Sequence, residues 1–92
     1  MRYEWDAEKD AQNRRKHGLA LVDGIAALDD PECISWVDRR FNYAEERILN
    51  LGRVNAEVRF VVITELAHEE TRIISVRRAE KHEEYWYYHG LP

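Results

Sequence analysis

The sequence predicts an α+β fold in which two N-terminal helices and a C-terminal helix pack on a mostly antiparallel sheet of about four strands. Apolar residues recur at helical spacing as far as Leu28, and an alternating pattern typical of strands begins after Pro31. The stretch from Glu80 to about Tyr88 again has helical character, with acids at its start. Because 92 residues suffice for one core but not for two, we expect a single domain over residues 1–92.

The composition argues against a disordered chain and against a membrane-spanning one. A hydrophobic fraction of 45% is too high for disorder. The longest aliphatic and aromatic run, residues 60–63, is far shorter than the roughly 20 residues of a membrane-spanning helix. The N-terminus lacks an apolar segment of the signal-peptide type, so we expect a cytoplasmic protein. The single Cys33 has no partner for a disulfide and is expected to be a small buried residue.

The charges are unevenly distributed along the chain. A net charge of -4 and a pI near 5.5 argue against a protein that coats nucleic acid through its overall field. The basic residues nevertheless cluster, at Arg14-Arg15-Lys16, Arg39-Arg40, Arg47, Arg53, Arg59 and Arg77-Arg78. Such clusters are typical either of a solvated face or of a binding surface, and charge alone does not decide between the two.

The first part of the chain predicts a brief edge strand and two helices. Residues 2–5 alternate as in a strand. Asp6 is placed to cap a helix that runs to His17 and closes at Gly18. The cations in its last turn suit the negative helix end, or serve binding. A second short helix is predicted over residues 21–28, where Gly24 suggests close packing on a neighbour. Asp29-Asp30-Pro31 is expected to end this helix, because proline cannot continue it.

The rest of the chain predicts the sheet. Strands are expected over residues 33–37, 47–53, 58–64 and 71–76, with a polar loop over residues 38–44. The third of these strands is apolar on both faces and should be central. Gly52 is a candidate for a bulge in the second.

The last strand ends beside the start of the C-terminal helix, where a site is expected. Regular alternation predicts that Ile73, Ser75 and Arg77 share one face of the strand. The other face is then formed by Arg72, Ile74 and Val76. If Ile74 and Val76 point into a core, Arg77 points away from it.

Nearly the whole chain resembles the BrnT family of toxins. The residues that carry the resemblance are Glu4-Trp5-Asp6, Lys9, Asn13, Arg15-Lys16-His17-Gly18, Asp29-Asp30-Pro31, Glu46-Arg47, Gly52-Arg53, Arg72-Ile73-Ile74-Ser75, Arg77-Arg78-Ala79, Glu83 and Tyr87. The resemblance implies a fold similar to the RelE-like ribonucleases and a toxin of a type II toxin–antitoxin system. It also implies an antitoxin partner, BrnA in this family, which neutralises the toxin and supplies the DNA-binding part of a shared promoter repressor.

Three positions depart from the family pattern, and one of them is Gly24, which replaces a more helix-favouring residue. Position 20, often a serine that caps the second helix, is Ala20, and position 80, often a threonine, is Glu80. A threonine at position 80 would form a capping box with Glu83. Capping or ion pairing is therefore as good an interpretation of Glu83 as catalysis.

RNA cleavage without a metal ion needs a group that takes the proton of the 2'-hydroxyl, a cation at the phosphate and a proton donor for the leaving oxygen. We expect Arg77 to serve the phosphate, helped by Arg53 and Arg72, because a guanidinium matches phosphate oxygens and stays charged. Candidates for proton transfer are His17, Glu83, Tyr87 and Lys16, and candidates for substrate binding are Lys16, Arg78 and Arg47. The sequence shows no histidines or carboxylates at metal-ligand spacing, so we expect neither a metal ion nor another cofactor.

Two further functions compete with a ribonuclease toxin. The first is a catalytically inactive, toxin-like binding module that serves as antitoxin partner and co-repressor, with Arg77 and Arg53 directed to an acidic segment of the partner. The second, a small DNA-binding protein, is disfavoured by the acidic pI and by the lack of a helix-turn-helix pattern. The resemblance implies RNA as the substrate, and mRNA held by the ribosome as one form of it.

Overall fold

The computed structural model describes residues 1–40, 42 and 44–92 and has the expected α+β architecture. In chain order the elements are β1 (Arg2–Glu4), α1 (Ala7–His17), a 3₁₀ turn (Leu21–Asp23), α2 (Gly24–Leu28), β2 (Ile34–Val37), β3 (Ile48–Val54), β4 (Glu57–Glu65), β5 (Glu70–Arg78) and α3 (Lys81–His89). The predicted loop over residues 38–44 includes Phe41 and Tyr43, which lie outside the described residues.

The sheet has five strands in the order β1-β5-β4-β3-β2, so the prediction of about four strands was too low. Strands β2 to β5 pair antiparallel, and β4 is central as predicted. The additional strand is β1, the brief N-terminal edge strand, which pairs parallel to β5 from Arg2 opposite Glu70 to Glu4 opposite Arg72. The sheet is therefore mixed, because its N-terminal edge strand runs in the same direction as β5.

Helix α1 begins and ends at the predicted residues. The Asp6 carboxylate accepts hydrogen bonds from the backbone N–H groups of Glu8 at 2.8 Å and Lys9 at 3.2 Å. Gly18 has a φ of 73°, and its N–H donates to the Arg14 carbonyl at 2.9 Å. A left-handed glycine at this position closes the helix and turns the chain back toward the sheet.

The predicted second helix is divided, and its short α part, α2, lies unusually close to the sheet. A Cβ atom at Gly24 would lie 2.8 Å from Val76 Cγ2, which confirms the expected close packing. A Cβ atom at Gly52 would lie 1.9 Å from the Ala27 carbonyl oxygen. Gly52 pairs regularly with Arg59, so it marks the contact of β3 with α2, and the predicted bulge at this position was wrong.

The bulge lies in β5 instead. Ser75 is opposite Val62 whereas Ile73 is opposite Ile63, which leaves Ile74 as an extra residue. Ile73 and Val76 consequently belong to the same core cluster, and the predicted division of β5 into two regular faces was wrong. Arg77 still lies on the face opposite to Val76, as expected.

Two apolar clusters cover the two faces of the sheet. The cluster beneath α1 and α2 contains Leu21, Ala27 and Val61, and the cluster beneath α3 contains Leu51 and Phe60. No helix in the described part of the chain combines the length and apolar character required to span a lipid bilayer. The cluster beneath α3 is the smaller of the two, and its Phe60 contacts Arg77, a predicted site residue.

Cys33 is only half-buried, which corrects the expectation of a buried residue.

Candidate functional site

Arg77 is fixed where the end of β5 meets the start of α3. Its guanidinium lies over the Phe60 ring, 4.2 Å from the ring centroid. The two Glu83 carboxylate oxygens accept hydrogen bonds from Nη1 and Nη2 of Arg77, each at 2.8 Å. Glu80 adds a longer ionic contact at 3.9 Å. Arg77 is therefore held in one orientation by an aromatic ring and a bidentate carboxylate.

Glu83 also caps α3, because its Oε1 accepts the backbone N–H of Glu80 at 2.8 Å. Burial alone would raise the pKa of Glu83, but the hydrogen bonds from Arg77 and Glu80 outweigh it and lower the pKa. The hydrogen bond with Glu83 in turn raises the pKa of Arg77, against the effect of burial. Both groups are ionised at neutral pH, and both structural interpretations of Glu83, capping and ion pairing, have a geometric basis.

An open cationic depression lies beside Arg77. The end of α1 contributes Lys16 and His17, the end of β5 contributes Arg77 and Arg78, and Glu80 is the acid among them. One Arg78 terminal nitrogen donates to the His17 carbonyl at 3.1 Å, which joins the two elements. Four of the predicted site residues, from two distant parts of the chain, are thus neighbours here.

His17 has the electrostatic environment of a proton acceptor. Burial lowers the pKa of its imidazole below the ordinary 6.5, and the positive charges of Lys16 and Arg77 lower it further. The imidazole is therefore mainly neutral at pH 7, and a neutral imidazole has one nitrogen that can accept a proton. The same cations can bind a phosphate next to it.

Tyr87 and Arg53 belong to a different cluster, organised by Asp30. The Tyr87 hydroxyl donates to Asp30 Oδ2 through a very short hydrogen bond, and the Arg53 backbone N–H donates to the same oxygen at 2.7 Å. Burial and the Asp30 carboxylate raise the pKa of Tyr87 to about 12. Tyr87 lies in α3 one helical turn beyond Glu83, and its hydroxyl is hydrogen-bonded to Asp30 rather than to Arg77.

Arg72 and Arg47 lie at the opposite end of β5 from Arg77. They line a polar depression together with Lys9 and Glu4. Arg72 Nη2 contacts Glu4 Oε1 at 3.4 Å. The nine residues predicted for the site therefore fall into three places, and the five that line the Arg77 depression or brace it are Arg77, Arg78, Lys16, His17 and Glu83.

Sequence reasoning missed Asp30 and one cluster of possible metal ligands. Asp30 stood in the sequence as part of an Asp-Asp-Pro helix stop, which gave no sign that it would capture Tyr87. Among the described residues, Glu80, His82 and Glu83 each bring one potential ligand atom to within 4.8 Å of the others. Both Glu83 oxygens already bind Arg77, so a cation at this cluster would compete with the guanidinium.

Comparisons with known proteins point to one family. The model of a family described as the ribonuclease toxin BrnT of type II toxin–antitoxin systems matches residues 5–83. The crystal structure of the Brucella abortus ribonuclease toxin BrnT, at 1.1 Å resolution, superposes with a TM-score of 0.64 and 26% sequence identity. The match covers 88% of this chain and 99% of that one. No curated protein sequence matches the chain.

Proposed function

Because this chain belongs to the BrnT family of ribonuclease toxins of type II toxin–antitoxin systems, we propose that it cleaves RNA internally, without a metal ion, and thereby inhibits translation and growth. Membership in such a system implies an antitoxin partner. We propose that a BrnA-like antitoxin neutralises the toxin and that promoter DNA is contacted only through this antitoxin. The whole chain, residues 1–92, acts as a single toxin domain in this proposal.

The observation that supports cleavage is the cationic depression with His17 inside it. The neutral imidazole of His17 takes the proton from the 2'-hydroxyl, and the 2'-oxygen then attacks the adjacent phosphorus. Arg77 stabilises the additional negative charge on the phosphorane, and Lys16 and Arg78 bind phosphate oxygens. The 5'-oxygen leaves and takes a proton from a water molecule, and His17 returns its proton to the hydroxide that is formed, so the products end in a 2',3'-cyclic phosphate and a 5'-hydroxyl.

Glu83 and Tyr87 have supporting roles in this proposal. Glu83 positions Arg77, because its lowered pKa makes it a poor proton donor and its oxygens are occupied. Tyr87 stays protonated with a pKa of about 12 and anchors α3 to Asp30. The proton carriers left beside Arg77 are His17 and Lys16, which keeps the acid–base set small. A small acid–base set would suffice for cleavage if the ribosome held the mRNA in the reactive geometry.

One observation favours the alternative of a catalytically inactive binding module. The Arg77 fork is already closed on the Glu83 carboxylate, as it is in ion pairs that only stabilise a fold. In that case the exposed Arg53 and the cationic depression would bind an acidic segment of the antitoxin. The two functions differ in whether the chain arrests growth and in whether that arrest depends on Arg77.

Growth of a bacterial host tests the proposal. We expect that the wild-type chain, induced without an antitoxin, halts growth, and that Arg77→Ala relieves the arrest at the same level of soluble protein. Arg15→Ala is the matched control, because Arg15 is an exposed cation of α1 outside the depression. Normal growth at full wild-type expression would reject the toxin function and favour the binding module.

A further inference from the structure

We propose that single-stranded RNA lies along a groove between α1 and β5, with the scissile phosphate at Arg77 and a flanking phosphate near Lys9 and Arg72. This inference rests on the proposed ribonuclease function and extends it to the path of the substrate. Lys9 was not among the residues that the sequence selected for the site. The groove gives a common role to cations that the fold keeps away from Arg77.

The groove consists of three depressions that share their walls. The first, around Arg77, shares Lys16 and His17 with the second, which runs along the side of α1. The second shares Lys9 and Ile74 with the third, which contains Arg72 and Arg47. Each depression thus continues into the next, and the bulged residue Ile74 forms part of the floor.

The spacing of the cations suits an extended chain of a few nucleotides. Lys9 and Lys16 are seven residues apart in α1, which puts them on the same side of the helix and about 10 Å apart along its axis. Arg72 and Arg77 are five residues apart in β5, and because Ile74 is an extra, bulged residue they span about four regular steps, or about 13 Å at the usual rise of a strand. Cations on both walls therefore follow one line, as in channels that track a nucleic-acid backbone.

Acidic residues at the Arg72 end of the groove weaken its attraction for phosphate but do not block it. Glu4 contacts Arg72 at 3.4 Å, and both side chains are almost half exposed, so solvent screens this pair. Asp6 is occupied by the helix cap, and Glu45 is the third acid that lines this end, opposite three cations. A phosphate can replace Glu4 at Arg72. At the other end Lys16, Arg77 and Arg78 line the groove, and a phosphate there competes with Glu83 for Arg77 and with Glu57, at 2.9 Å, for Arg78.

Binding of a 2'-O-methyl RNA hexamer tests the groove, since this RNA lacks the nucleophilic hydroxyl and is not cleaved. We expect Lys9→Ala to weaken binding on the order of fivefold and to lower the slope of log affinity against log salt by about 0.7, the value for one contact to a single strand. Arg15→Ala, on the outer side of the same helix, serves as the matched control and should leave both quantities close to wild type.

A second pair of variants reverses the sign of the effect. Glu4→Gln frees Arg72 from its ion pair and should tighten binding of the hexamer about threefold. Glu8→Gln removes an equal charge from an exposed position of α1 outside the groove and should change binding little. A variant that merely damaged the fold would not bind RNA more tightly.

The outcomes separate the groove from the cleavage reaction. If Lys9→Ala binds the hexamer like Arg15→Ala, or Glu4→Gln binds it no better than wild type, the groove is rejected even if the protein cleaves RNA. If Lys9→Ala weakens only the binding of the cognate antitoxin, the groove belongs to a protein segment and the RNA path is rejected. Binding with the expected dependences by a protein that never cleaves RNA would keep the groove and reject the ribonuclease function.

Discussion

Both carboxylate oxygens of Glu83 accept hydrogen bonds from Arg77, and one of them also accepts the N–H of Glu80 at the start of α3. The cation proposed for the phosphate is therefore fixed by the same group that begins the helix. Because the guanidinium also lies on the Phe60 ring, its position depends on the small apolar cluster beneath α3. Site geometry and the docking of α3 are coupled through this one pair.

Replacing Glu83 by glutamine should destabilise the fold by about 2 kcal/mol, since it leaves the partly buried Arg77 without its charged partner. The loss should depend on pH. The pKa of Glu83 is lowered from 4.5 in the folded protein, so its contribution is complete above about 4.5 and is lost as the pH falls through the folded pKa. Urea denaturation between pH 3 and pH 7 measures both effects.

The neighbouring Glu84→Gln provides the control for that series, because it removes one carboxylate from the same helical turn. We expect the stability of Glu83→Gln to fall less steeply than that of wild type below pH 4.5. If the stability of wild type and that of Glu83→Gln fell equally with pH, the Arg77–Glu83 pair would not be the source of the stability lost in acid.

His17 should set the acid limb of the pH–rate profile for RNA cleavage. Its pKa is lowered from 6.5 by burial and by the charges of Lys16 and Arg77, so the base form persists to a pH below 6.5. We expect the rate to fall only below that value in the wild type, and His17→Ala to lose at least tenfold in rate together with this limb. A limb that survives in His17→Ala would assign the proton transfer to another group.

Tyr87→Phe should lower stability by about 1.5 kcal/mol, because it removes a hydrogen bond to the charged Asp30. Its effect on cleavage should be small once the protein is folded, since the hydroxyl faces Asp30 rather than the cationic depression. Thermal denaturation gives the first quantity and the rate at a temperature where both proteins are folded gives the second. A hundredfold loss of rate in folded Tyr87→Phe would return Tyr87 to the reaction.

Local signals made much of the fold predictable. The Asp6 and Gly18 caps act within a few residues of themselves, so the bounds of α1 followed directly from the sequence. The Ile74 bulge did not follow, because a regular alternation of two residues contains no sign of an extra one. Gly52 was interpreted as a bulge since its true constraint, the Ala27 carbonyl, lies on a different element.

The spatial grouping of the predicted site residues could not be predicted from the sequence. Lys16 and Arg77 become neighbours only because α1 packs along β5, a contact between distant parts of the chain. Arg53 was grouped with Arg77 on chemistry alone, whereas Asp30 draws it and Tyr87 into a separate cluster. Asp30, interpreted from the sequence as part of a helix stop, thus holds two predicted site residues away from Arg77.

Cleavage of a 5'-labelled RNA in the presence of EDTA tests the central claim most directly. Purified wild type should produce fragments that end in a 2',3'-cyclic phosphate. Arg77→Ala should reduce their yield at least a hundredfold, whereas the control Arg15→Ala should leave it close to wild type. The assay is run with free RNA and with translating ribosomes. Failure of the folded wild-type protein to cleave RNA in either form, or equal cleavage by Arg77→Ala, would contradict a metal-independent ribonuclease centred on Arg77.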